Sequence, residues 1–85
     1  MAMDKILVTF EVPSLALRFD AWVPGFMTPE QLRPLLFSLL KGLTNDAYAP
    51  SGEEVFCRKD DSRLLPLTVS LRDMQVENGD HLLMF

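Results

Sequence analysis

The sequence predicts an α+β domain in which one main helix packs on one face of a mixed sheet of four to five strands. Three observations predict it: two alternating apolar segments around a short turn, a leucine-rich segment with helical spacing, and a short apolar segment at the end. A hairpin that is followed by one long amphipathic helix must cover a sheet face with that helix. The 85 residues correspond to a single domain, 1–85.

The N-terminal hairpin is predicted from strict alternation. Pro13-Ser14 separates the two strands, because proline fixes φ and cannot donate to a strand ladder. Leu7 falls on the outward face of the first strand, and Trp22 on the outward face of the second. The inward residues are apolar in both strands: Ile6, Val8, Phe10 and Val12, then Leu15, Leu17, Phe19, Ala21 and Val23.

The helix is predicted to begin at Thr28-Pro29-Glu30-Gln31, where Thr28 is the N-cap, Pro29 the first helical residue and Gln31 the partner in a capping box. Gly42 is predicted to end the helix in a left-handed conformation. Pro34 should distort the first turn or delay the start of the helix, because it removes a backbone donor. Six leucines at helical spacing predict one broad core stripe: Leu32, Leu35, Leu36, Leu39, Leu40 and Leu43.

The C-terminal half is predicted to add three short strands. In the third strand, Val55–Arg58, the alternation predicts that Val55 and Cys57 point inward and that Phe56 points outward. A short fourth strand at Leu64-Leu65 is limited by Pro66. The closing strand, with Leu82 and Met84 inward, should run parallel to the first strand through the centre of the sheet.

One segment carries a resemblance to a known fold. The sequence Leu71-Arg72-Asp73-Met74-Gln75-Val76-Glu77-Asn78-Gly79-Asp80-His81-Leu82 contains Leu-x-Asp, an apolar residue and then Gly-Asp-x-Leu. It resembles the stretch that ubiquitin-like β-grasp domains carry just before their last strand. The resemblance implies that Leu71 and Val76 anchor a short helical turn to the core, and that Gly79 permits positive φ before the strand.

Within that superfamily, the chain is most similar to the bacterial YukD/EsaB group. Val8-Thr9-Phe10-Glu11-Val12 and the run from Phe19-Asp20 to Val23-Pro24-Gly25-Phe26 carry this similarity. Members accompany type VII (Ess/ESX-type) secretion systems, which export small helical-hairpin proteins, and a related domain forms the cytosolic N-terminus of a membrane component. The resemblance implies a cytoplasmic accessory protein that binds a secretion component.

Two alternatives of other kinds remain open from the sequence. A ubiquitin-like small subunit of a multicomponent oxygenase would also work by docking. A sulfur carrier or protein modifier would need a C-terminal Gly-Gly, whereas this sequence ends at Leu83-Met84-Phe85. We therefore expect non-covalent binding and no conjugation.

Composition and motifs favour a binding module over an enzyme. The net charge of −4 and the absence of a Lys/Arg cluster argue against nucleic acid. No apolar stretch is long enough to insert into a membrane. Cys57 and His81 each lack the partners that a metal site or nucleophilic catalysis requires, so neither a cofactor nor a metal nor catalytic residues are expected.

The candidate site is an outward apolar set on the sheet. Alternation places Leu7, Phe56, Leu83 and Phe85 outward, with Arg58 beside them. The resemblance implies the same binding surface, since the binding patch of ubiquitin lies on this sheet face. A contiguous patch would mark a protein-binding surface, and it would also suit a weak homodimer.

Overall fold

The computed structural model describes residues 5–85, and residues 1–4 lie outside the described part. Within it, one helix and five strands follow one another in the predicted order. The strands form one mixed sheet in the order β2-β1-β5-β3-β4. The elements are β1 (Lys5–Val12), β2 (Leu17–Pro24), α1 (Pro29–Leu43), β3 (Phe56–Arg58), β4 (Arg63–Leu64) and β5 (Asp80–Met84), with a 3-10 turn at Pro13–Leu15.

The centre of the sheet confirms the predicted topology. β1 pairs antiparallel with β2, placing Phe10 opposite Phe19, and parallel with β5, placing Phe10 opposite Leu82. The rings of Phe10 and Phe19 stack with centroids 5.7 Å apart. The hairpin turn closes through Ala16, whose φ of 52° is left-handed. The core therefore lies between this central trio of strands and α1.

The start of α1 is as predicted. The Thr28 hydroxyl accepts a hydrogen bond from the Gln31 N–H, and the Gln31 side chain accepts one from the Thr28 N–H, which completes the capping box. The predicted late start is wrong, because the helix begins at Pro29 and accommodates Pro34 inside it. The predicted end is also wrong. Gly42 stays helical, Thr44 caps the helix through Leu40, and the next residues take the left-handed conformation.

The leucine stripe of α1 is narrower than the sequence predicts. Leu32, Leu36 and Leu40 are buried, and they form one row along the helix. The other three leucines are 54%, 41% and 52% exposed; they are Leu35, Leu39 and Leu43. Only half of the predicted stripe is core, and the remainder is a surface feature.

The segment before β5 behaves as its motif implies. Leu71, Met74 and Val76 are buried, and a tight turn between them closes through the Val76 N–H on the Leu71 carbonyl. Gly79 has φ +89° and donates to the Leu7 carbonyl at 2.8 Å. The Asn78 side chain accepts from the Leu7 N–H at 2.8 Å, so this turn joins the two central strands.

The alternation of β3 is the reverse of the prediction. Phe56 pairs with Met84, and Arg58 pairs with Leu82. Both of these β5 residues are buried on the side of the sheet that faces the helix. Phe56 is fully buried, whereas Cys57 pairs with Leu83 and lies on the outward face. The predicted outward placement of Phe56 and Arg58 is therefore wrong by one residue.

Charged residues at both ends of this inward row account for the error. Arg58 lies 3.0 Å from the Asp80 carboxylate, at the end of the core. Glu54, at the other end, is buried, and its carboxylate accepts hydrogen bonds from the Ser51 and Gly52 N–H groups and from the Tyr48 hydroxyl. Burial of a charge is tolerated here because it is paired or hydrogen-bonded.

Candidate functional site

The sheet face that points away from α1, here called the outer face, carries a cluster of apolar side chains over β3, β4 and β5. The register places Cys57 between Leu64 and Leu83 in one row across three strands. Phe85 exchanges two backbone hydrogen bonds of 3.0 Å with Val55, which puts these two residues in the next outward position. We call this set the outer cluster: Val55, Cys57, Leu64, Leu83 and Phe85.

The outer cluster is open to solvent. Leu64 and Phe85 are 61% and 60% exposed, and the other three members are half-buried. Two large, mostly exposed apolar side chains beside three partly covered ones form one continuous apolar area. Such contiguous areas, unlike single exposed leucines, mark interaction sites on soluble domains.

A polar row borders the outer cluster. Lys59 contacts the Glu11 carboxylate at 3.0 Å, and the Nδ1 of His81 lies 3.6 Å from the same carboxylate. Lys59 holds the pKa of Glu11 below its ordinary value of 4.5, so this carboxylate is charged at neutral pH. On the neighbouring row, the Thr9 hydroxyl donates to Asp20 at 2.6 Å. An apolar centre with such a polar border is the anatomy of a transient protein interface.

Leu7 and Trp22 lie opposite one another at the far end of the outer face. Glu11, not Leu7, is the β1 residue beside Leu83. Leu7 and Glu11 are four residues apart along β1. At about 3.3 Å per residue, this places Leu7 about 13 Å from the β1 position beside Leu83. The polar row lies in between, so Leu7 belongs to a different part of the face.

The structure therefore brings together two of the five predicted site residues, Leu83 and Phe85. Leu7 is on the predicted face but apart from them, and Phe56 and Arg58 are on the inward side of the sheet. Three members of the outer cluster were not predicted: Val55 and Cys57, which the alternation placed inward, and Leu64. The sequence did contain one signal for the correct faces of β3, namely the large aromatic side chain of Phe56. Placing that ring in the core reverses the predicted alternation and puts Cys57 on the outward face.

Other kinds of site are not found in the described part of the chain. Among residues 5–85, no group of three or more His, Cys, Asp or Glu side chains could hold a metal ion. The same residues form no detected pocket. No helix among them is both long and apolar enough to cross a membrane. The outer face is therefore the most developed candidate surface in this region.

Comparison with solved structures identifies the fold. The arrangement matches the ubiquitin-like domain of the Mycobacterium tuberculosis type VII secretion protein EccD1, with a TM-score of 0.71, 24% identity, and coverage of 99% of this chain and 98% of that one. It also matches the C-terminal ubiquitin-like domain of mouse tubulin-specific chaperone e, with a TM-score of 0.69, 23% identity, and coverage of 99% and 88%. The chain has the ubiquitin-like β-grasp fold, as its sequence predicts.

Two further similar structures are an EccD5 domain and a chain of the ESX-5 inner membrane complex. The ubiquitin-like domain of EccD5 from Mycobacterium xenopi has a TM-score of 0.74 and 18% identity, and the match covers 95% of this chain and 92% of that one. A chain of the ESX-5 inner membrane complex has a TM-score of 0.74 and 19% identity, with 96% of this chain matching 21% of that longer one. Comparisons with protein-family models and with curated protein sequences give no match.

Proposed function

We propose that this chain is a ubiquitin-like accessory protein of a bacterial type VII secretion system, and that it binds a component of that system non-covalently through the outer cluster. The single observation that carries the binding role is the outer cluster itself. It is a continuous, solvent-open apolar area of five side chains with a charged border. A module that presents such a surface works by docking, without catalysis, and the cytoplasm is the compartment that this role requires.

The assignment to secretion is supported by two independent likenesses. The opening hairpin resembles the YukD/EsaB group in sequence, and ubiquitin-like domains of EccD proteins resemble the chain in structure. The EccD likeness also supports a variant of the same proposal, in which the chain is the ubiquitin-like part of a larger membrane component. Both variants use the same outer surface and predict the same partner class.

The experiment is a secretion and binding assay with matched phenylalanine variants. In a strain that lacks the chain, export of the small helical-hairpin substrates should be lost and should return with the wild-type chain. Phe85→Asp should fail to restore export and should no longer co-purify with the secretion membrane complex. Phe26→Asp is the control, because Phe26 is 67% exposed and lies outside the outer cluster.

Two outcomes would contradict the proposal. If export is unchanged in the deletion strain, the chain has no part in this secretion route. If Phe85→Asp and Phe26→Asp restore export equally, binding does not use the outer cluster. Thermal melting of both variants separates loss of binding from loss of folding.

A further inference from the structure

We propose that β2, the free edge of the sheet, pairs antiparallel with β2 of a second copy of this chain to form a weak homodimer. The two sheets then become one continuous sheet with both helices on the same face. This surface lies at the opposite edge from the outer cluster. The proposal is therefore independent of the proposed function, and each can fail without the other.

The two edges of the sheet are protected very differently. At one edge, β4 is only two residues long, which gives a neighbouring chain little to pair with. At the other edge, β2 extends over the eight residues Leu17–Pro24, and its sole strand partner within residues 5–85 is β1. Edge strands are normally guarded by charged side chains, especially lysine, by proline, by bulges or by short length. β2 has no lysine, its two charged residues, Arg18 and Asp20, are of opposite sign, and its one proline is its last residue.

The inward side of β2 is incompletely covered. Leu17, Phe19 and Ala21 pack against the core but are only partly buried, although they face the helix side of the sheet. The corresponding inward residues of β1 are buried. The core layer is thus unfinished along this edge, and further apolar side chains would complete it.

One flank of α1 faces the same edge. Arg33 donates to the Glu54 carbonyl at 2.8 Å, and the ring of Phe37 contacts Tyr48 with centroids 6.0 Å apart, so this flank faces the loop before β3. The opposite flank therefore lies on the β2 side of the sheet. It carries the exposed leucines at four-residue spacing: Leu35, Leu39 and Leu43.

The sequence of β2 is self-complementary about Phe19. If Phe19 of one copy lies opposite Phe19 of the other, Arg18 of each copy lies opposite Asp20 of its partner, and Leu17 lies opposite Ala21. Opposite charges facing each other across antiparallel strands stabilise the pairing. Shifting the two-fold axis by one residue places Arg18 opposite Arg18 or Asp20 opposite Asp20, which is unfavourable. The charges thus select one register and identify a second copy as the occupant.

This arrangement also uses the exposed leucines. A two-fold axis normal to the sheet keeps both helices on the same face, so their leucine flanks face each other across the seam. Phe19 and Leu17 of both copies form the floor of that seam. Asp20 accepts a hydrogen bond from Thr9 through Oδ1, and Arg18 is exposed, so the Arg18 guanidinium is open to Asp20 of the second copy.

The test is sedimentation equilibrium from about 1 µM to about 1 mM, the range that covers a weak association. The wild-type chain should change from monomer to dimer across this range. Arg18→Asp and Asp20→Arg should each weaken the dimer at least about tenfold, because each places like charges opposite one another. The double variant restores opposite charges across the seam and should recover most of the association.

A second, matched pair tests the helix flank. Leu39→Glu should abolish the dimer, whereas Leu64→Glu, on the outer cluster, should leave it unchanged. Hydrogen exchange at high concentration should add protection to β2 amides and not to those of β4. The proposal is overturned by a monomer at every concentration, by a dimer that tolerates Leu39→Glu, or by protection of β4 in place of β2. Circular dichroism and melting confirm that each variant is folded.

Discussion

The buried carboxylate of Glu54 should stabilise the fold in a way that one substitution can measure. Its oxygens accept hydrogen bonds from the Ser51 N–H at 2.8 Å, the Gly52 N–H at 3.0 Å and the Tyr48 hydroxyl at 2.8 Å. These bonds close the loop that leads from α1 into β3. Glu54→Gln keeps the shape of the side chain but removes its charge and one acceptor oxygen.

The expected loss follows from these contacts. The glutamine oxygen can keep the Ser51 and Tyr48 donors, while its NH2 group then faces the Gly52 N–H and loses that hydrogen bond. A hydrogen bond to a charged group contributes about 1.5–3 kcal/mol, so the free energy of unfolding should fall by about 2 kcal/mol. For a domain of this size, that corresponds to a fall in Tm of about 8–16 °C.

The loss should depend on pH with a definite sign. Burial opposes the charged form of Glu54, but the Ser51, Tyr48 and Gly52 donors outweigh it and hold the pKa below its ordinary value of 4.5. A group whose pKa is lowered by folding stabilises the folded state above its unfolded pKa. That contribution disappears as the pH falls through the folded pKa. The difference between wild type and Glu54→Gln should therefore be constant near neutral pH and shrink in acid below pH 4.5.

The assay is urea unfolding at several pH values, with Glu53→Gln as the control. Glu53 is the adjacent exposed residue, and its substitution removes the same charge without removing those three bonds. The reasoning is refuted if the two variants are equally stable at neutral pH. It is also refuted if the gap between wild type and Glu54→Gln widens as the pH falls.

Three further predictions test other parts of the structure. Burial, together with the hydrogen bond to Glu54, raises the pKa of Tyr48 to about 12. Tyr48 is the chain's one tyrosine, so ultraviolet titration should give a midpoint near that value, and Glu54→Gln should lower the midpoint. Phe56→Ala should cost about 3–5 kcal/mol in urea unfolding, whereas Phe85→Ala should cost little; equal losses would contradict the assigned alternation. Asn78→Ala leaves the Leu7 N–H without its acceptor and should cost about 1 kcal/mol by thermal melting, and an unchanged Tm would show that water replaces the side chain.

The fold was predictable because its signals are local. The capping box at Thr28 and Gln31 depends on residues three apart, and the hairpin is set by strict alternation over two long strands. The turn before β5 needs only a short motif that ends at Gly79. Each of these signals acts over a short stretch of sequence, and the tertiary contacts of this fold agree with it.

The alternation of β3 was not predictable in the same way. The strand has three residues, and its inward row is flanked by the charged residues Glu54 and Arg58. A hydrophobicity pattern places charges outward, which turns Phe56 outward as well. The charges are instead satisfied inside the fold: Glu54 by Tyr48 and the backbone of its own loop, and Arg58 by Asp80 on another strand. Short strands with charged ends therefore need tertiary information to fix their faces.

The leucines of α1 show why a correct element can still mislead about a surface. Spacing identifies an apolar stripe, but the spacing is the same whether a leucine packs on its own sheet or on another molecule. One row, Leu32, Leu36 and Leu40, is sufficient to cover the core. A helix that serves only its own core has no need of a second row. The surplus row lies beside the least protected edge of the sheet, and that coincidence, more than either feature alone, is what a second copy of the chain explains.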